Sequence, residues 1–245
     1  MLSRNQIKFI QSLRQVKFRK EHGLFIAEGQ KVVEELMGSA IDVRAVYAVR
    51  EWVGEHGDMA GRTGTDLHEV SPAELGRISG LVTPNKVLAL CRIPEREDGL
   101  SADTPVVLAL DGIRDPGNMG TIIRTADWFG LGEIICSEDC VEVWNPKVVQ
   151  STMGSIARVK VSYTGLANYL SLAGKPVYAT VPEGESIWVS KPREGIFVIG
   201  NESQGVRQEV LRYATHRISI PGTGKAESLN ASVAAGIIMA ALFIS

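Results

Sequence analysis

The chain has 245 residues, of which 44% are apolar and 22% charged, and 26 Lys and Arg stand against 28 Asp and Glu for a net charge of −2. This is globular composition, so it excludes a disordered, collagenous or disulfide-scaffold protein. It also excludes a polycation that coats nucleic acid wholesale, while leaving room for a local basic face. The three cysteines, Cys91, Cys136 and Cys140, form no CxxC pair, and four histidines are scattered through the chain. That count speaks against a structural zinc site and for a reducing cytoplasm.

The first 20 residues carry Arg4, Lys8, Arg14, Lys17, Arg19 and Lys20 and no acidic side chain. No apolar run follows them, so no signal peptide is expected. Ser3 and Gln6 have capping-box spacing, and Leu2, Phe9, Leu13 and Val16 recur near the helical period. One basic helix is expected, ended by His22-Gly23. Its six cations suit sequence-independent contact with phosphates. Arg77, Lys86 and Arg92 could extend that patch. Strands are expected at 24–27, 43–49, 66–70 and 86–93, and helices at 30–37 and from Ser71-Pro72-Ala73-Glu74, where a Ser cap, a first-turn Pro and a Glu at the third position coincide. Residues 1–93 therefore read as a small α/β module. Residues 94–104, charged and rich in breakers, read as a linker.

Residues 105–245 read as a second domain. Six short apolar strands, near 106–110, 133–137, 158–162, 177–181, 196–200 and 217–220, alternate with helix-length segments, which predicts a parallel sheet covered on both faces. The final apolar run, 231–244, is shorter than the roughly 20 residues that span a bilayer and reads as a buried terminal helix. Ligands of such sheets bind beyond the carboxyl ends of the strands. Three polar, glycine-bearing clusters stand there: Asp111 to Gly120 with Arg124, Gly200 to Gly205, and Pro221 to Ser232. Asn118, Ser203 and Ser228 are each plausible helix N-caps, but three such loops on one edge point to a site. Gly224-Lys225 is followed by Ala226, so there is no phosphate loop, and Gly130-Leu131-Gly132 precedes a strand, so there is no dinucleotide fingerprint.

Together the clusters resemble the SpoU (TrmH-like) branch of the SPOUT RNA methyltransferases. Asn118, Gly120, Arg124, Ala126, Phe129 and Gly130 match its first motif. Ile199-Gly200-Asn201-Glu202 with Gly205 matches the second. Ile218 to Pro221 with Ser228-Leu229-Asn230-Ala231-Ser232 matches the third. Residues 1–93 resemble, more loosely, the L30e-like substrate-binding domain often fused in front. The resemblance implies a deep trefoil knot in the parallel-sheet domain and a homodimer with the knotted region at the interface. It implies S-adenosylmethionine-dependent 2′-O-methylation of ribose in rRNA or tRNA, without a metal, DNA or a membrane. Carried over by position, Gly200, Ile220 and Leu229 would offer backbone groups to the cofactor and Thr180 would line its pocket. Arg124 matches the family's catalytic arginine, and Asn118, Glu202, Ser228 and Asn230 its supporting polar residues. Asn145-Pro146-Lys147 with Ser151 and Gly154 resembles, loosely, a segment near the RNA.

The sulfonium methyl is already activated, so the protein must position the ribose oxygen and manage its proton. Arg124 either takes that proton or stays charged, clamps a phosphate and stabilises the developing alkoxide. A guanidinium normally holds its proton, which favours the clamp. Glu202 would orient Arg124 or the cofactor, and Ser228 and Asn230 would cap the last helix while facing the pocket. The rivals are a catalytically silent RNA-binding or ribosome-assembly factor with the same fold, and a nucleotide-binding switch.

Overall fold

The computed structural model describes residues 1–95, 104–201 and 203–244, apart from the side chains of residues 62 and 63. The chain divides into two units: Met1–Glu97 with Glu142–Ala157, and Asp98–Val141 with Arg158–Ser245.

The first unit runs α1 (Arg4–Ser12), α2 (Val16–His22), β1 (Leu24–Glu28), α3 (Gln30–Met37), β2 (Val43–Ala48), α4 (Arg50–Thr63), β3 (Asp66–Glu69), α5 (Pro72–Ile78) and β4 (Val87–Arg92). Its strands form a sheet in the order β1-β4-β2-β3, antiparallel except for the β2–β3 pair. Ile7, Ile10 and Leu13 pack with Leu75, Ile78 and the sheet residues Ile26, Leu88 and Leu90. Both predicted capping boxes are present. Ser3 Oγ accepts from the Gln6 N–H (3.2 Å) and Ser71 Oγ from the Glu74 N–H (3.2 Å).

Three expectations for this region need correction. The basic N-terminal segment is two helices, not one. Arg19 Nη1 donates to the carbonyls of Leu13 (2.9 Å) and Arg14 (2.8 Å), which a continuous helix would have given to its own N–H groups. Helix α4 is not among the elements the pattern predicts, because Gly54, Gly57 and Gly61 each weaken a helical reading by about 1 kcal/mol. The fully buried Trp52 anchors it nonetheless. Finally, residues 142–157, expected in the second domain, pack with the first unit as α7 (Pro146–Thr152) and a short 3₁₀ turn, Ser155–Ala157. Trp144 lies against Phe25 (ring centroids 4.6 Å apart), and Glu142 pairs with Arg19. Gly154, at φ +97°, passes so close to α3 that a Cβ there would lie 2.6 Å from Glu35 Cβ.

The second unit continues with β5 (Val106–Asp111), α6 (Pro116–Trp128), β6 (Glu133–Ser137), β7 (Lys160–Thr164), α8 (Leu166–Leu172), β8 (Val177–Ser186), α9 (Ile187–Ser190), β9 (Gly195–Gly200), α10 (Gln208–Leu211), β10 (His216–Ser219) and α11 (Ala231–Phe243). All six strands are parallel, in the order β10-β8-β9-β5-β6-β7. Every residue of β5 is buried, as expected of a strand covered on both faces. The chain leaves β5 towards β6 and β7 on one side, whereas β9 and β8 lie on the other, so the strand order reverses at β5. The terminal helix α11 buries Ala231, Ala235, Ile238, Met239 and Ala241 and leaves Val233 and Phe243 exposed, as is Ile244 just after it, so it is buried on one face rather than all round.

Candidate active site

The reversal at β5 places the first two clusters together. Asp111, the last residue of β5, pairs in register with Gly200, the last residue of β9. Asn201 then donates through Nδ2 to the Gly112 carbonyl (2.9 Å). A switch point of this kind leaves a crevice at the carboxyl ends of the flanking strands.

The first cluster opens α6 differently from the expectation. Asp115, not Asn118, is the N-cap: its Oδ1 accepts from the Asn118 N–H at 2.8 Å, and Pro116 occupies the first turn. Asn118 therefore sits inside the first turn, where its side-chain oxygen is placed to accept a hydrogen bond. Asn230, the N-cap of α11, uses it: Asn230 Nδ2 donates to Asn118 Oδ1 at 2.9 Å, while Asn230 Oδ1 accepts from the N–H of Ser232 (3.0 Å) and Val233 (3.3 Å). One side chain thus caps the last helix and ties the third cluster to the first. The α6–α11 packing continues that tie, with Phe129 stacked on Phe243 (centroids 6.1 Å apart). Ser228 caps nothing. It lies exposed before the cap and makes no hydrogen bond among the described residues. Ser203 caps no helix either: its N–H donates to Asn201 Oδ1 (2.9 Å) in a turn.

The expected cofactor residues differ in setting. Gly200 faces a loop that folds back through a bridge between Asn201 and Gly205. A Cβ on Gly200 would lie 2.1 Å from the Gly205 carbonyl carbon, so only glycine fits. Thr180 lies within β8 rather than at its end. The β8–β10 ladder jumps there, from Arg217 opposite Ala179 to Ile218 opposite Glu185, and residues 180–184 have no ladder partner on β10. Thr180 Oγ1 is buried without a hydrogen-bond partner among the described residues. A buried hydroxyl left unpaired costs roughly 1–3 kcal/mol, which a ligand's polar group would offset. Ile220 is half-buried directly after β10, and Leu229 is exposed in the loop before α11. Glu202 lies outside the described residues. The orphaned hydroxyl and the glycine-only bend fit a cofactor held by backbone groups.

Arg124 projects from α6, exposed, and makes no hydrogen bond or ion pair among the described residues. Its neighbour one turn on, Asp127, is engaged by Arg158, whose Nε and Nη2 reach Asp127 Oδ2 at 3.0 and 2.9 Å.

Sequence reading missed a network that braces the crevice. The buried Asp111 carboxylate accepts from Arg207 Nε (2.7 Å) and from the Arg207 backbone N–H (2.8 Å). Arg207 also pairs with Asp139 (3.3 Å), which Arg114 engages at 3.0 Å. Partial burial opposes ionisation of Asp139. Hydrogen bonds from Ser137 and Arg114, with the charge of Arg207, outweigh it and hold the carboxyl below its usual range. Cys140 Sγ accepts from the Ile113 N–H (3.2 Å); its bonding to Cys136, against the effect of burial, draws the thiol down to about 7. A strand ending in aspartate at a switch point was the available signal for Asp111. Nothing local pointed to Arg207.

In the N-terminal cluster, Arg4, Lys8, Lys17 and Lys20 are exposed. Arg14 is exposed but spends a guanidinium hydrogen bond on the Ile78 carbonyl (2.8 Å). Arg19 is 2% exposed and committed to Leu13, Arg14 and Glu142, so its expected role in RNA contact is withdrawn. Lys86 and Arg92 are likewise paired, with Glu51 and Asp42.

Comparison with known proteins gives the same assignment. The model of the SpoU rRNA Methylase family matches residues 105–240, and that of the MRM3-like substrate binding domain matches residues 4–89. The 23S rRNA (guanosine(2553)-2′-O)-methyltransferase RlmP of Bacillus subtilis is 30% identical over 97% of this chain and 96% of its own. Among solved structures, an RNA methyltransferase of the TrmH family from Porphyromonas gingivalis superposes with a TM-score of 0.86 at 32% identity, covering 99% of this chain and 98% of that one. An AdoMet-bound rRNA methyltransferase from Sinorhizobium meliloti gives a TM-score of 0.86 at 28% identity over 99% and 95%. With its motifs gathered at one switch point and a family match over more than half its length, the chain belongs to the SpoU rRNA methylase family.

Proposed function

We propose that the protein transfers a methyl group from S-adenosylmethionine to a ribose 2′-hydroxyl of ribosomal RNA. The observation that carries this reading is the convergence of the three motifs: Asp111 beside Gly200 in the sheet, and Asn230 bonded to Asn118 across two helices. Ribosomal RNA is favoured over tRNA because RlmP, similar along nearly the whole chain, is named for 23S rRNA.

Gly200, Ile220 and Leu229 would hold the cofactor through backbone groups, with Thr180 Oγ1 completing a hydrogen bond. When bound, the cofactor supplies an electrophilic methyl on a sulfonium. The remaining work falls to the chain. Arg124, with no ion pair among the described residues, clamps an RNA phosphate and stabilises negative charge growing on the 2′-oxygen. Asn118 and Asn230 fix the first turns of α6 and α11, and so the direction from which Arg124 approaches. Glu202, by its place in the second motif, is assigned to orienting Arg124 or the cofactor, and Ser228 to the same polar rim.

We infer further that the first unit is an L30e-like RNA-binding module using Arg4, Lys8, Lys17 and Lys20, and that the C-terminal segment is threaded as a trefoil knot. The return of α11 from the sheet edge at β10 to pack on α6 and β9 supports the threading. We infer a homodimer through α6 and α11, supported by the exposed Trp128, Val233, Phe243 and Ile244, and a cytoplasmic location. No helix among the described residues is long and apolar enough to cross a membrane.

The test is transfer of labelled methyl to ribosomal RNA and, separately, to tRNA from cells lacking this gene, with the modified nucleotide mapped. A 2′-O-methylated nucleotide in rRNA is expected. Arg124→Lys should lower turnover by about a hundredfold without moving the pH profile, because it keeps the charge but loses the planar fork. Transfer to neither RNA, with no calorimetric binding of the donor, would overturn the reading.

A further inference from the structure

Asp127 and Arg158 have no part in the three motifs, yet they bear on the residue that carries the chemistry. On a helix, residues three apart share a face, so Asp127 is placed to pair with Arg124. Such a pair would occupy the guanidinium and set a negative charge where a polyanionic RNA must approach. The structure shows a different partner for Asp127. Arg158, just before β7, engages both its oxygens, with Nε at 3.1 Å from Oδ1 and 3.0 Å from Oδ2, and Nη2 at 2.9 Å from Oδ2. This planar, two-pronged contact is geometrically specific and outcompetes a single-turn helical pair. Arg124 is left exposed, with no hydrogen bond or ion pair among the described residues.

We propose that Arg158 is a positioning residue for the methyl transfer: by binding Asp127 it keeps that carboxylate off Arg124 and the approach to Arg124 electrically receptive to RNA. The inference rests on the reading of Arg124 given above. It assigns Arg158 no contact with RNA or cofactor.

The test is a double-mutant cycle on the full chain, reading methyl transfer to rRNA, donor affinity by calorimetry and melting temperature. Arg158→Met removes the contact that holds Asp127 away from Arg124, and is expected to lower kcat/KM for RNA by about three- to tenfold, with donor affinity unchanged. Asp127→Asn alone should leave transfer within about twofold of the unmodified protein. Asp127→Asn combined with Arg158→Met should restore transfer to that level, although the pair remains broken, because the competing carboxylate is gone. A merely structural brace would not be rescued in this way. If Arg158→Met leaves transfer unchanged, or if the double variant stays as slow as Arg158→Met, the inference is overturned while the function stands. If the unmodified protein transfers no methyl, the function falls and the inference with it.

Discussion

Arg19 and Lys8 come from the same basic stretch and end in opposite surroundings. Arg19 closes the break between α1 and α2, donating to two carbonyls and pairing with Glu142, which is itself part of the excursion of residues 142–157. Lys8 stands exposed on α1. The charges therefore do different work. Arg19→Ala is expected to cost about 2–4 kcal/mol, since it strands a carboxylate and uncaps a helix end. It should leave the salt dependence of RNA binding unaltered. Lys8→Ala should leave the melting temperature in place and reduce the slope of log affinity against log salt by about one. Thermal melts and salt titrations of the two variants check both halves. The same contrast explains what was legible: the cluster of cations is visible in the sequence, but which of them faces water depends on carbonyls and a carboxylate supplied by folding.

At the scale of elements, α6 and α11 show how much a cap can do. Each begins where its residues dictate, at Asp115-Pro116 and at Asn230. The bond from Asn230 to Asn118, 112 residues apart, then ties the cap of α11 to the first turn of α6. Asn230→Asp separates the two functions. The carboxylate still accepts from Ser232 and Val233 and favours the positive end of the helix, but it cannot donate to Asn118. The melting temperature should therefore hold while turnover falls by roughly tenfold, the loss of one orienting hydrogen bond. Equal turnover per folded molecule would limit Asn230 to capping. The motif spacing made Asn118 and Asn230 candidates. Their contact was not legible, because it needs β10 and α11 to return across the sheet. Helix α4 was hidden for the converse reason: tertiary burial of Trp52 overrides three local glycines.

At the scale of the whole molecule, the second unit presents apolar surface that its own fold does not cover. Trp128 is 84% exposed at the end of α6, and Phe243 and Ile244 are exposed at the end of α11. A second copy covering this face accounts for it more simply than a solvated tryptophan. Sedimentation should find a dimer, and Trp128→Glu should weaken it by at least tenfold, about 1.4 kcal/mol, with the monomer still folded. A monomeric unmodified protein would remove this assembly from the account.

Chain-local chemistry was enough to announce the strands, the capping boxes at Ser3 and Ser71, and the three loops at the carboxyl edge, because period, breakers and caps act over a few residues. Partners distant in the chain were settled only by folding: Asp111 with Arg207, Asp127 with Arg158, Asn118 with Asn230, and the docking of residues 142–157 on β1 and α3. The reason is physical. A hydrogen bond or ion pair forms within about 3 Å, and only the strand order and the packing of helices on the sheet bring those groups within that reach.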